Sequence, residues 1–554
     1  MKTVRKPFSI VISFAVIINI IAFMPVASSA AVQLSFDEYI ISCLENYTQG
    51  SIDVIAYVKK IGPFSSQTEA QAAVKKESDR LLNEFVRVLN ENPQLFHVKT
   101  YGVVGKTHSP FTYNTATGEV KFTEFTIHSY SYNMTKTQYT NEVKKFNNET
   151  QKALAYAKTA QTDFEKALAV YDYLVLTTAY DKENLDHAIK SGTLNNPLRP
   201  LSHSSYGSLV SKLAICEGYA KAYMHVMNLL GVECKLITGV AAGNGAKTNH
   251  MWNQIKINGK WYHVDVTWGD PLFTDNETKK QVDLYGFIDH SYFLLSDTAL
   301  KNIKSHEWTG GIQASSTTYD KDFAKNAGTA VIKLGDSFYW IESDKVTSQR
   351  NRGYNNNYIK RYTISTKKIT TVYSYEAIWY IGGTENENRI SFYSGSYSSL
   401  AAYNGKLYFN TAKQIFTFDP KTNTATAVSS SAGLGGKENK FIYGLTMSGN
   451  KITYTVKTRP GMTDTFKSVT VAAAKTTSVS LDKTALTLNV KETAVLKATL
   501  NPANSGDYIY WISSAPEIAS VDENGKVTAV KKGTATITAF TANDKQKTCA
   551  VTVK

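Results

Sequence analysis

Asn258-Gly259 lies between two runs of strand-forming residues, 249–257 and 260–267. A two-residue loop of this composition closes a β-hairpin, because both turn positions take positive φ and Asn and Gly tolerate it best. The turn also fixes the register, since paired residue numbers must then sum to 517, as 257 and 260 do. Trp252 faces Asp265 and His250 faces Thr267 in that register, with all four side chains on one side of the pair. His250 and Asp265 become diagonal neighbours about 7 to 8 Å apart along the backbone, a gap their side chains can bridge. A carboxylate bonded to one imidazole nitrogen fixes the tautomer and frees the other nitrogen to act as a base.

A nucleophile for that base stands upstream. Cys216 opens a helical pattern in which Ala220, Tyr223, Met224, Met227 and Leu230 share a face, and Gly231 is placed to end it. The first turn of a helix favours a thiolate, through free N–H groups and the macrodipole. Gly218 and Ala220 are small enough for that turn to press on a neighbouring sheet. A cysteine, a base and an orienting carboxylate together define nucleophilic acyl transfer. The bland alternative for Cys216 is an inert buried thiol.

Other residues compete for roles here. Cys234 falls in a strand-like run, 233–239, and reads as core; a Cys216–Cys234 disulfide would disable the site. His263 shares the face of Asp265 and rivals His250 as base, but its place beside Trp261 favours packing. His203, His290 and His306 show no partner pattern and read as structural or exposed. Trp252 is a candidate wall of the acyl pocket, its alternative being hairpin packing. A zinc site from Cys216, Cys234, His250 and His263 lacks close paired ligands. Asp270, Asp275, Asn276 and Glu277 lack the twelve-residue calcium loop. No metal and no cofactor is therefore expected. The oxyanion hole would pair the Cys216 N–H with a donor that the sequence does not assign.

Three motifs in order, CEGYAKAY around Cys216, NHMWN around His250 and GKWYHVDVTWGDP around Asp265, resemble the transglutaminase-like superfamily, particularly its secreted bacterial branch. The resemblance runs over about 153–308 and takes in YDYLVLTTAYD upstream and YFLLSD downstream. It implies a papain-like arrangement with Cys216 as nucleophile, His250 as general base and acid, and Asp265 as orienter. Met251 stands where alanine is common, and Gly269-Asp270 where two acidic residues are frequent. Both departures touch substrate preference and leave the three reacting side chains in place. The implied activity is acyl transfer from amide bonds through a thioester, which water resolves as a protease or amidase and an amine resolves as a cross-linker. Protein or peptide substrates are implied, with cell-wall components as a second class. The rival is a surface adhesion or binding protein that keeps this domain as a scaffold.

The rest of the chain sets the context. At 554 residues it exceeds one core, and roughly three or four domains of mixed α+β class are expected. Lys2, Arg5 and Lys6, the apolar run 8–26 and Ser28-Ser29-Ala30 read as a secretory signal peptide over 1–30; an uncleaved anchor is the alternative, because the run nears spanning length. No other stretch is apolar enough to span. An α/β lead-in is expected over 31–149, with a helix at 68–90 and an antiparallel pair, 95–104 with 119–132, about a turn at 114–118. The catalytic unit spans 150–310, opening on a long helical pattern at 150–176 that restarts near Asp163 and continuing through a polar loop at 181–205.

An all-β unit follows over 325–475. Gly335, Gly405 and Gly449 each open a similar strand, 70 and then 44 residues apart. These units resemble blades of a β-propeller, in three irregular copies. Residues 477–554 resemble a bacterial immunoglobulin-like domain of group 2 through SVSLDKTALTLNV, YWISSAPEIASVDENGKVTAVKKGTATITAF and CAVTV. That implies a β-sandwich typical of cell-surface and wall proteins, with Cys549 as a buried strand cysteine.

Four cysteines cannot scaffold a chain of this size, so packed cores must hold it. The leader carries three of the cations behind the net charge of +14, which leaves +11 on the mature chain. Such a charge favours anionic envelope polymers. The lysines form no basic stripe, so nucleic acid is not an expected partner. The expected location is secreted or at the cell surface, associated with the wall.

Overall fold

The computed structural model describes residues 34–554 except 102–103, 192–196, 244–245, 275–280, 304–305, 345–354, 378, 380–396, 429–439, 458–464, 472–475, 503–508, 523 and 542–544. The expected leader lies outside the described residues. Among those described, no helix is long and apolar enough to cross a membrane.

The hairpin forms as the turn dictates. Asn258 has φ 49 and Gly259 φ 77, and the strands Ala246–Ile257 and Lys260–Val264 pair in the expected register, from Lys260 opposite Ile257 to Val264 opposite Asn253. The ladder stops there. The Asp265 N–H turns away to the carbonyl of Tyr292 at 3.1 Å, so Asp265 sits just past the strand end and is not a ladder partner of Trp252. Strands Cys234–Gly243 and Glu307–Trp308 extend the antiparallel sheet on the other side.

The helix Cys216–Leu229 lies across this sheet. Of the expected face it buries Ala220, Tyr223, Met224 and Met227, with Tyr219 besides, while Leu230 is a half-buried cap residue, and the left-handed Gly231, φ 77, follows. The helical pattern expected over 150–176 with a restart near Asp163 is two helices, Lys136–Tyr156, which begins earlier than expected, and Asp163–Thr177. Thr162 makes the break: its side chain accepts the Glu165 N–H, which caps the second helix. The polar loop expected over 181–205 contains the helix Lys182–Ser191 and a 3-10 turn, Pro200–His203. Its polarity is spent internally. The buried Asp181 carboxylate takes the Arg199 guanidinium at 2.6 and 2.8 Å and the Ser202 hydroxyl at 2.6 Å.

One apolar core runs from Phe96 through both of these helices to Ala324, Val331, Phe338 and Trp340. The buried Asp172 pins the two ends of that core together, accepting the Val331 N–H and facing His290 Nε2, both at 2.7 Å. The chain beyond 310 thus completes the core that supports the hairpin.

In the lead-in, the expected helix is Gln67–Glu91. The turn at 114–118 joins a short hairpin, Phe111–Tyr113 with Val120–Phe122. The strand expected over 95–104 shrinks to a bridge between Val98 and Tyr132, because Pro93–Leu95 is taken up in a 3-10 turn. After Val331 come three antiparallel meanders in succession, two of four strands and one of three. Gly335, Gly405 and Gly449, all at positive φ, each sit in the first hairpin turn of one meander. The repeats therefore mark sheets, and their uneven spacing comes from the segments between them. The C-terminal region builds an all-β core around Trp511, Val527, Ile537, Cys549 and Val551.

Candidate active site

Cys216 is the first residue of its helix and is only partly covered. The strand before it, Leu213–Ala214, runs parallel to Ala179–Tyr180 and delivers it to the sheet edge. Gly218 lets the first turn seat. A Cβ there would come within 2.6 Å of the Ser202 carbonyl and 2.9 Å of that of Ser204, contacts that backbone atoms cannot yield. All four thiols are free; Cys234 is buried, which pushes its thiol far above the usual range.

His250 Nε2 lies 2.6 Å from Asp265 Oδ2, and the ring is also close enough to the Cys216 thiol to feel it electrostatically. Burial opposes charge on this ring, but the Asp265 carboxylate, with a smaller contribution from Cys216, outweighs it and raises His250 to about 10. Asp265 is fully buried. Burial would raise its carboxyl, yet His250 and His306 together hold it down at about 2. Its second oxygen accepts the Trp268 N–H at 3.2 Å. The arrangement sets the Cys216 side chain near an imidazole that favours its protonated form and is anchored on a carboxylate.

The rival base is placed elsewhere. His263 Nδ1 accepts the Trp252 indole N–H at 3.0 Å, and its Nε2 faces Asp297 at 2.9 Å. It braces the hairpin, and burial, partly offset by Asp297, lowers its pKa. Trp252 itself is 1% exposed and stacks on His250 at 5.6 Å between centroids. It backs the imidazole from inside the hairpin, so packing and not an open pocket wall describes it.

The three histidines expected to be structural or exposed are all buried, each against a carboxylate. His306 is fully buried, with Nε2 3.0 Å from Asp265 Oδ2 and Nδ1 3.0 Å from the Ile303 carbonyl. His290 is buried on Asp172. His203 contacts Glu217, whose other oxygen takes Lys221 Nζ at 2.6 Å and the Thr100 hydroxyl at 2.7 Å. Burial would raise Glu217, but Lys221 and His203 lower it to about 2. These partners were missed because each lies on a different element, where local periodicity carries no information. The nearest signal was the pair His306 and Trp308, the latter packing edge-on against Trp252 at 5.8 Å and His263 at 4.6 Å.

Tyr180 is a further group close to the chemistry. Burial, then Cys216 and Asp265, raise its phenol well above the usual range, so it stays protonated. Among the described residues, His250, Asp265 and His306 are the group whose potential metal-ligand atoms lie within 4.8 Å of one another. One nitrogen of each ring is directed at the same carboxylate oxygen, Asp265 Oδ2, at 2.6 and 3.0 Å. Asp270 turns inward to the Tyr219 hydroxyl, while Asp275, Asn276 and Glu277 lie outside the described residues.

Residues 150–266 match the family model of the transglutaminase-like superfamily, and 475–551 match that of the bacterial Ig-like domain, group 2. The chain therefore carries a transglutaminase-like domain and a C-terminal Ig-like domain, within a mixed α+β architecture rich in β-sheet. It is similar to kyphoscoliosis peptidase of Homo sapiens, 33% identical over 93 residues, 15% of this chain and 14% of that protein. The Mus musculus counterpart is 26% identical over 149 residues, 25% of this chain and 21% of that protein. The matched part thus spans less than a quarter of either relative. A transglutaminase crystal structure aligns over 31% of this chain and 48% of its own, at 15% identity and a TM-score of 0.21, a value too low to define a shared fold.

Proposed function

We propose that this chain is an exported cysteine acyl-transfer enzyme that cleaves or exchanges amide bonds at the cell envelope. The observation that carries this reading is His250, anchored on Asp265 and electrostatically coupled to Cys216 at the start of its helix. The Cys216 thiolate would attack an amide carbonyl. The oxyanion would take the Cys216 N–H at the helix start and the protonated phenol of Tyr180, the donor that the sequence left unassigned. His250 then passes its proton to the departing amine, leaving a thioester on Cys216. Water, deprotonated by His250, gives a peptidase or amidase; a lysine amine gives a cross-linker. The relatives named peptidase favour the hydrolytic branch, and the Ig-like domain, the basic charge and the expected leader favour an extracellular protein or wall peptide as substrate.

The test is incubation of the mature chain with cell-wall and protein extracts, followed by mass spectrometry for deamidated, cleaved or cross-linked products. Products should form with the natural chain and not with Cys216→Ala. Identical product profiles would leave the surface scaffold as the surviving reading.

A further inference from the structure

His306 has no assigned task, and its surroundings are unusual. Both ring nitrogens face acceptors, the Ile303 carbonyl at 3.0 Å from Nδ1 and Asp265 Oδ2 at 3.0 Å from Nε2. An acceptor must be met by a donor, and a neutral imidazole has only one N–H. The ring is fully buried, so water cannot serve either nitrogen. Asp265 is held ionised by its two histidines, so it cannot supply the missing proton. The groups around the ring are Asp265, His250 with centroids 5.5 Å away, Tyr292 at 6.3 Å, and the aromatic faces of Trp252 and Trp268. His263 is a further neighbour that senses the charge of His306. Among these described neighbours, Asp265 is the only carboxylate in contact.

We infer that His306 is a positioning residue that stays doubly protonated and shares the Asp265 carboxylate with His250, making the thiolate site neutral as a whole. The inference rests on the acyl-transfer reading. A thiolate, an imidazolium and a carboxylate buried together carry one net negative charge; a second imidazolium cancels it. Burying an uncompensated charge is costly, and a carboxylate divided between two rings binds His250 less tightly than an undivided one. His306 thereby sets the pH window of the thiolate–imidazolium pair. Without its charge the thiolate is harder to form, so the acid edge of the window rises. Asp265 then serves His250 alone, the imidazolium holds its proton longer, and the alkaline edge rises as well.

The test is the pH dependence of Cys216 alkylation by iodoacetamide, in which the thiolate sulfur bonds to carbon and iodide leaves. The mature full-length chain is compared with His306→Asn and His306→Gln. Both inflections of the rate profile should move to higher pH by about one unit, as expected for one unit charge lost at this range in a partly desolvated site. Inflections that stay in place while rates or melting temperature fall would reduce His306 to packing and overturn the inference. If neither variant folds, 15N spectra of histidine-labelled natural chain decide. Two protonated ring nitrogens on His306 near neutral pH support the inference, and a single N–H tautomer overturns it. The underlying reading fails separately, if Cys216 of the natural chain alkylates like a free cysteine and His250→Ala leaves its rate unchanged.

Discussion

At the scale of single residues, Asp265 does two jobs that a simple orienter would not. It anchors His250 through one oxygen that it also lends to His306, and it uses the other to hold the Trp268 N–H. Asp265→Asn keeps the shape and removes the charge, so His250 loses its tautomer control. Turnover on a substrate identified by the extract experiment should fall by about 10³ to 10⁴ with little change in melting temperature; unchanged turnover would remove Asp265 from the mechanism. His263→Gln is expected to behave in the opposite way. It should lower stability by about 1–2 kcal/mol through the lost Trp252 and Asp297 contacts, measured by urea denaturation, while the pH window of Cys216 alkylation stays put.

At the scale of elements, Cys216 is held by the helix start more than by any side chain. Gly218→Ala would drive a methyl into the Ser202 and Ser204 carbonyls, and overpacking of this kind costs about 1–3 kcal/mol. The helix must shift to relieve it, so alkylation of Cys216 should lose its dependence on His250; a variant with the natural profile would show that the turn is not what aims the thiol. Gly259→Ala is the control. It meets no neighbour, but φ 77 disfavours a side chain, so stability should drop by about 1 kcal/mol with the thiol's pH profile kept.

The two turns also show what a sequence reveals. Asn258-Gly259 specifies a hairpin and its register from two adjacent residues, so His250 and Asp265 could be brought together by counting. The Cys216 helix was equally legible from its apolar spacing and Gly231. His306 was not, because it joins Asp265 from 41 positions away through a sheet edge that no periodicity announces. The restart near Asp163 was legible, but the start of the preceding helix at Lys136 was not. Trp252 was left open between pocket wall and packing because an aromatic beside a histidine can face either way until the sheet behind it is placed.

At the scale of the whole molecule, two buried polar groups tie remote parts to the site. His97 packs its ring between Tyr47 and Tyr139, donates Nε2–H to the Leu44 carbonyl, and keeps a buried, unpartnered Nδ1. Burial lowers it from 6.5 to about 4. Its folded value lies below its unfolded one, so the unfolded chain binds the extra proton between those limits. Stability is therefore intact above pH 6.5 and is lost as pH falls towards 4. Urea midpoints should decline through that interval, and His97→Phe should flatten the decline; an unchanged slope would assign the acid sensitivity elsewhere. Asp172 is the second tie. Asp172→Ala would leave His290 and the Val331 N–H buried without their acceptor, a loss of about 3–5 kcal/mol, read as a lower melting temperature.

That same carboxylate has a bearing on timing. Asp172 meets its partner Val331 only across 159 positions of chain, and Phe338 and Trp340 close the same core. A ribosome releases the polypeptide from its amino end, so Cys216, His250 and Asp265 all emerge well before the packing that fixes them. The nascent Cys216 therefore passes through synthesis before His250 and Asp265 are fixed beside it, and the reactivity proposed for it would come late, once the first meander has arrived.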